Sequence, residues 1–126
     1  MGTNPWENFT YAEFACACCN NQSIHPPFIS RLQRLRDEYK KPMQITSGFR
    51  CKDYDEKLGG KGAHQSGHAA DMLIPGEDIY YFLALAFEHG FTGIGVKAHG
   101  DVRFVHLDDL KHGDWVKKRP FFWTYR

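Results

Sequence analysis

Apolar residues recur at helical spacing in two stretches of the chain. Between Pro26-Pro27 and Lys40-Lys41-Pro42, Phe28, Ile29, Leu32, Leu35 and Tyr39 fall on one face, and Arg31, Arg34 and Asp37 fall on the face given to solvent. The lysines suit the negative end of that helix and Pro42 stops it. A second helix is predicted from Glu77 to His89, with Ile79, Phe82, Leu83 and Ala86 inward and Gly90 past its end. Thr10-Tyr11-Ala12-Glu13 has the spacing of a capping box and should open a short helix.

Short apolar runs between these helices read as strands. They are Met43 to Ser47, Ala69 to Ile74 (stopped by Pro75-Gly76), Gly93 to Val96, and Arg103 to Leu107. The last two should pair across the turn at His99-Gly100, and the aromatic tail from Trp115 to Arg126 should pack on the body. The fold class that follows is α+β: one domain over residues 1–126, with a small, mainly antiparallel sheet and helices packed against it.

A chain of 126 residues buries roughly two-thirds of its unfolded surface, enough for such a core without a metal. The net charge of +1 and the lack of a basic block give no footing for nucleic acid. No run approaches the ~18 apolar residues of a membrane span. The first residues lack the basic and apolar regions of a secretory signal, so synthesis in the cytoplasm is expected.

Cys16, Cys18 and Cys19 cluster near the start and Cys51 stands alone. Buried or free thiols, a disulfide from the cluster to Cys51, and a zinc site of all four are the open readings.

Seven histidines direct attention to metal chemistry. His64 lies in a glycine-flanked loop, Asp71 interrupts the apolar run Ala69 to Ile74, and His106 interrupts Phe104-Val105-His106-Leu107. A buried carboxylate needs a partner, because leaving it unpaired costs several kcal/mol. Together the three can hold one Zn²⁺ and leave a fourth tetrahedral position for water. The plain alternative is a hydrogen-bonded core aspartate and two ordinary histidines. His64 and His68 stand four apart, but Gln65 replaces the glutamate of the zincin signature and Gly67 weakens a helix there, so His68 is left outside the ligand set. Arg50, taken alone, reads as a surface salt-bridge residue.

Several motifs occur in a fixed order: Ser47-Gly48-Phe49-Arg50, Gly59-Gly60, Gly62-x-His64-x-x-Gly67-x-Ala69-x-Asp71, Gly93-Ile94-Gly95-Val96 and Phe104-Val105-His106-Leu107-Asp108. Over about residues 8–124 the chain resembles the zinc D-alanyl-D-alanine carboxypeptidases. That superfamily also holds D-Ala-D-Ala dipeptidases, phage L-alanyl-D-glutamate endopeptidases and the hedgehog signalling domain.

The resemblance implies one zinc ion on His64, Asp71 and His106, and a substrate or oxyanion contact for Arg50. It implies hydrolysis next to D-amino acids in peptidoglycan stem peptides, as a D,D-carboxypeptidase or an endopeptidase, by a monomer acting on the cell wall in remodelling or phage lysis. The alternative it leaves is an inactive zinc-containing recognition domain. Gly62 stands where relatives carry serine, and Asp55 stands near the place of an asparagine before the Gly-Gly loop. The relatives' general bases fall on Arg103 and Phe104, which cannot serve. Asp101, and next His99, are therefore the candidates for the base. Asp108 shares a strand face with His106 and could orient it, contact Arg50 or make a structural ion pair.

Overall fold

The computed structural model describes residues 5–100, 103–113 and 115–125. A 3₁₀ turn at Tyr11–Phe14 leads to α1 (Pro26–Tyr39), β1 (Gln44–Ser47) and a short α2 (Lys52–Lys57). After them come β2 (Ala69–Leu73), α3 (Ile79–Glu88), β3 (Gly93–Lys97), β4 (Phe104–Asp108) and β5 (Phe121–Thr124). The Glu13 carboxylate accepts the Thr10 N–H at 2.7 Å and opens the first turn. Pro26 and Pro27 start α1 where no intrahelical N–H is needed. Lys40 ends it in the left-handed region, two residues before Pro42.

The five strands form one α+β sheet in the order β1-β2-β4-β3-β5. Every pairing is antiparallel except β3 with β5. The tail thus adds a parallel edge strand, where the sequence predicts packing on the body but no strand. α2 also goes beyond the sequence reading: five of its six residues are charged and carry no apolar period. Arg31 departs from the solvent face that spacing gives it. Its Nη1 donates to the His89 carbonyl at 2.6 Å, and its guanidinium stands 3.5 Å from Asp109.

Period two divides the sheet into two faces with different chemistry. Ala70 and Met72 of β2, Ile94 and Val96 of β3, and Val105 and Leu107 of β4 join one hydrophobic cluster with Phe28, Ile29, Leu32 and Leu35 of α1 and Phe82 and Leu85 of α3. The alternate positions face away from that cluster. Asp71 pairs directly with His106, and His106 with Gly95; Asp108 pairs with Ala69 on one side and Gly93 on the other. The helices anchor the sheet, and the opposite face collects the polar groups.

Candidate metal centre

Asp71 and His106 are cross-strand neighbours, so their side chains rise together from the face opposite the helices. His64 comes from a 3₁₀ turn (His64–Ser66) just before β2, and the three are buried. His106 Nδ1 lies 3.0 Å from Asp71 Oδ1, and His64 Nε2 lies 3.4 Å from the same oxygen. One ligand atom from each residue lies within 4.8 Å of the other two. Tetrahedral zinc with bonds of about 2.0–2.1 Å sets neighbouring donors roughly 3.4 Å apart.

The remaining ring nitrogens are occupied in a way that fixes which atom faces the cluster. His64 Nδ1 donates to the Gly48 carbonyl at 2.8 Å, which leaves Nε2 to face Asp71. His106 Nε2 donates to Asp108 Oδ2 at 2.7 Å, leaving Nδ1. A carboxylate or carbonyl behind each ligating histidine is the usual second layer of a metal site. Buried, convergent and correctly oriented, these residues fit a zinc ion.

Asp108 is itself fully buried and is held by Arg119, whose Nε and Nη2 reach its two oxygens at 2.8 and 2.7 Å. Burial would raise the Asp108 pKa, but the bonds from Arg119 and His106 bring it down to about 2. Sequence reasoning leaves open whether Asp108 meets His106, Arg50 or a structural cation. It meets His106 and Arg119.

The glycines of β3 make room for this arrangement. A Cβ on Gly93 would stand 2.3 Å from the Asp108 carboxylate, and one on Gly95 would stand 2.4 Å from Trp123 Nε1. Gly93→Ala should therefore displace Asp108 from both partners and destabilise the fold by on the order of 3 kcal/mol. The midpoint of urea unfolding reads this directly.

Arg50 spans three acceptors. Its Nε donates to Ser47 Oγ at 2.9 Å, Nη1 to Asp55 Oδ1 at 3.0 Å and Nη2 to Asp71 Oδ2 at 3.3 Å. An irregular register between Ile45 and Ser47 sets Ser47 opposite Asp71. Asp55, in α2, is fully buried and also accepts from the Gly62 N–H and Gln65 Nε2. Far from being a surface ion pair, Arg50 ties the second oxygen of Asp71 to α2. A cavity of about 230 Å³ opens beside Arg50 and Ser47, lined also by Phe49, Tyr54 and Leu58; it does not reach the three ligand residues.

Trp123 and Tyr125 of the tail lie over the same face. The Trp123 ring sits 5.1 Å from that of His106 and under the Arg119 guanidinium at 5.2 Å. The Tyr125 hydroxyl has a raised pKa from burial, reinforced by the fields of Asp71 and Asp108. Of the other sequence candidates, His68 bonds Asp109 at 2.9 Å and stacks on His25 instead. His99 is exposed in the turn after β3, and Asp101 lies outside the described residues.

Without metal, burial favours neutral His106, but the bonds to Asp108 and Asp71 raise its pKa to about 9. A metal needs the neutral imidazole. Zinc uptake near neutral pH should therefore release about one proton, and apparent affinity should rise with pH until about 9. Titration calorimetry in buffers of different ionisation enthalpy counts that proton. Burial also opposes the charge on Asp71, yet hydrogen bonds from His106 and His64 hold its pKa well below the usual carboxylate range.

Compared with known protein families, residues 7–108 match the family described as Peptidase M15. No curated protein matches the chain. The matched segment includes His64, Asp71 and His106 but stops at Asp108, short of Arg119, Trp123 and the residue 124 to which the motif resemblance extends. A match over most of the 126 residues assigns the chain to the peptidase M15 family, whose members are zinc-dependent metallopeptidases.

Proposed function

We propose that the protein hydrolyses peptide bonds next to D-amino acids in peptidoglycan stem peptides, with one catalytic zinc held by His64 Nε2, Asp71 and His106 Nδ1. The observation that carries this reading is the convergence of those three donors, with the opposite nitrogen of each histidine already bonded. Zinc in that position supplies Lewis acidity, lowering the pKa of water toward ~7 and polarising a carbonyl.

The chain's own groups do the rest. Asp108 holds His106 in the tautomer that presents Nδ1, and the Gly48 carbonyl does the same for Nε2 of His64. Arg50 is fixed by Ser47, Asp55 and Asp71 beside the ligand cluster, where its planar cation can bind a substrate carboxylate or the oxyanion that forms on attack. A base must take a proton from the attacking water and pass it to the leaving amine, which requires a free lone pair. Asp55 and Asp108 are each committed to a guanidinium. We assign the role to Asp101, with His99 next, in the sequence between β3 and β4.

The stem peptide is the expected partner and the monomer the expected working form, acting on the cell wall. No helix among the described residues is long and apolar enough to cross a membrane. Incubation with purified stem peptides and cross-linked muropeptides, followed by mass spectrometry, tests the reading. Released D-Ala marks a carboxypeptidase and a cut between two internal residues an endopeptidase. Binding without cleavage would favour the recognition-domain alternative.

A further inference from the structure

A second group of metal-binding atoms stands away from the histidines. The sulfurs of Cys16, Cys19 and Cys51 lie within 4.8 Å of one another. Tetrahedral zinc with bonds of about 2.3 Å to sulfur needs sulfurs roughly 3.8 Å apart, a small contraction. The exposed Cys18 thiol interacts electrostatically with that of Cys51 but stands outside the group of three. None of them forms a disulfide.

The backbone around the cluster is shaped for an anionic sulfur. The Cys16 N–H donates to the Asn21 carbonyl and the Asn20 N–H to the Cys16 carbonyl, each at 2.8 Å, with Asn20 in the left-handed region at φ 65°. This tight loop turns the amides of Cys18 and Cys19 toward Cys16 Sγ. The Cys51 amide reaches the same sulfur at 3.3 Å from the other side. The Cys51 N–H bond, helped by the nearby amides of Cys18 and Cys19, favours the thiolate of this buried sulfur, the form that ligates metal.

We propose that Cys16, Cys19 and Cys51 bind a second zinc ion of structural type, with the neighbouring Cys18 closing onto the fourth position when the metal is bound. A disulfide would join two of these sulfurs and leave the other two thiols and the converging amides without a role. A closed thiolate site uses all of them.

Its position gives it a task. Cys51 follows Arg50 directly, and the loop from Ser47 to Cys51 lies against the segment that carries Cys16. The Phe49 N–H donates to the Phe14 carbonyl at 2.9 Å, and a Cβ on Gly48 would stand 2.5 Å from Phe14 Cα. The same loop supplies the Gly48 carbonyl to His64 and Arg50 to Asp71. A zinc at the cysteines would clamp the base on which the histidine site rests.

The test uses the full chain, purified with zinc under reducing, oxygen-free conditions. Elemental analysis should find two equivalents of zinc, and a thiol-specific mercurial should release one of them to a chromogenic chelator. Cobalt substitution should give thiolate-to-cobalt charge-transfer absorption in the near ultraviolet. Paired substitution C16S/C51S should remove those bands and one equivalent. Should that variant not fold, the mercurial and cobalt readings on the wild-type chain still decide.

A single equivalent with no charge-transfer bands would overturn the proposal. So would an intact mass two hydrogens below the reduced chain, which marks a disulfide. The thiolate bands do not depend on His64, Asp71 or His106, so failure of this proposal and failure of the catalytic reading are told apart.

Discussion

Alanine at Asp71 should abolish hydrolysis and strip the histidine-site zinc in the same variant. Asp71 Oδ1 is the atom that both His64 and His106 face, and its Oδ2 takes a guanidinium N–H of Arg50. Removing it takes one of three ligands and leaves two imidazoles and an arginine around an empty space. Several kcal/mol of transition-state stabilisation goes with the metal, so the rate should fall by at least about 10³-fold. H64A and H106A should give the same paired loss. Zinc content by elemental analysis and stem-peptide turnover, measured on the same preparations, check it. Loss of turnover with that zinc fully retained would contradict the ligand assignment. Circular dichroism of the metal-free variant separates a lost ligand from a lost fold.

The second large effect is expected at Arg50. Its three donors reach Ser47, Asp55 and Asp71 at once, which a lysine ammonium on a flexible stem cannot reproduce in one plane. Arg50→Lys should lower kcat by on the order of 10²–10³, the usual loss on removing one donor to a developing oxyanion. It should also weaken zinc binding by about 10–100-fold, because a group that orients a ligand is lost. With zinc held in excess the affinity effect disappears and the kcat effect stays. Were excess zinc to restore full turnover, Arg50 would be a positioning residue and not a contact to the reacting atoms.

Much of this site was legible in the chain because its ligands violate their surroundings. Asp71 and His106 interrupt apolar runs, and the burial of those runs is what makes a polar residue within them informative. The apolar spacing of α1 was equally clear, since its inward residues are all buried in the core. Other elements gave too little signal. β5 is three exposed or half-buried aromatics and a threonine with no alternation, and it forms only because β3 offers an unpaired edge. α2 is too short and too polar to show a period.

The groups behind the ligands were hidden for a different reason. Arg119 meets Asp108 only through the return of the tail, and Asp55 meets Arg50 and Gln65 only once α2 has formed. Gly93 and Gly95 stood out as a motif, but their purpose depends on Asp108 and Trp123 lying where a Cβ would be. Pairings set by tertiary folding leave no periodic trace in sequence.

The most direct test of the central claim is stem-peptide turnover by chelator-treated protein, verified free of metal, before and after titration with zinc. No turnover at the start, followed by recovery that saturates as the histidine site fills, is the predicted result. Full turnover by the metal-free protein would contradict it.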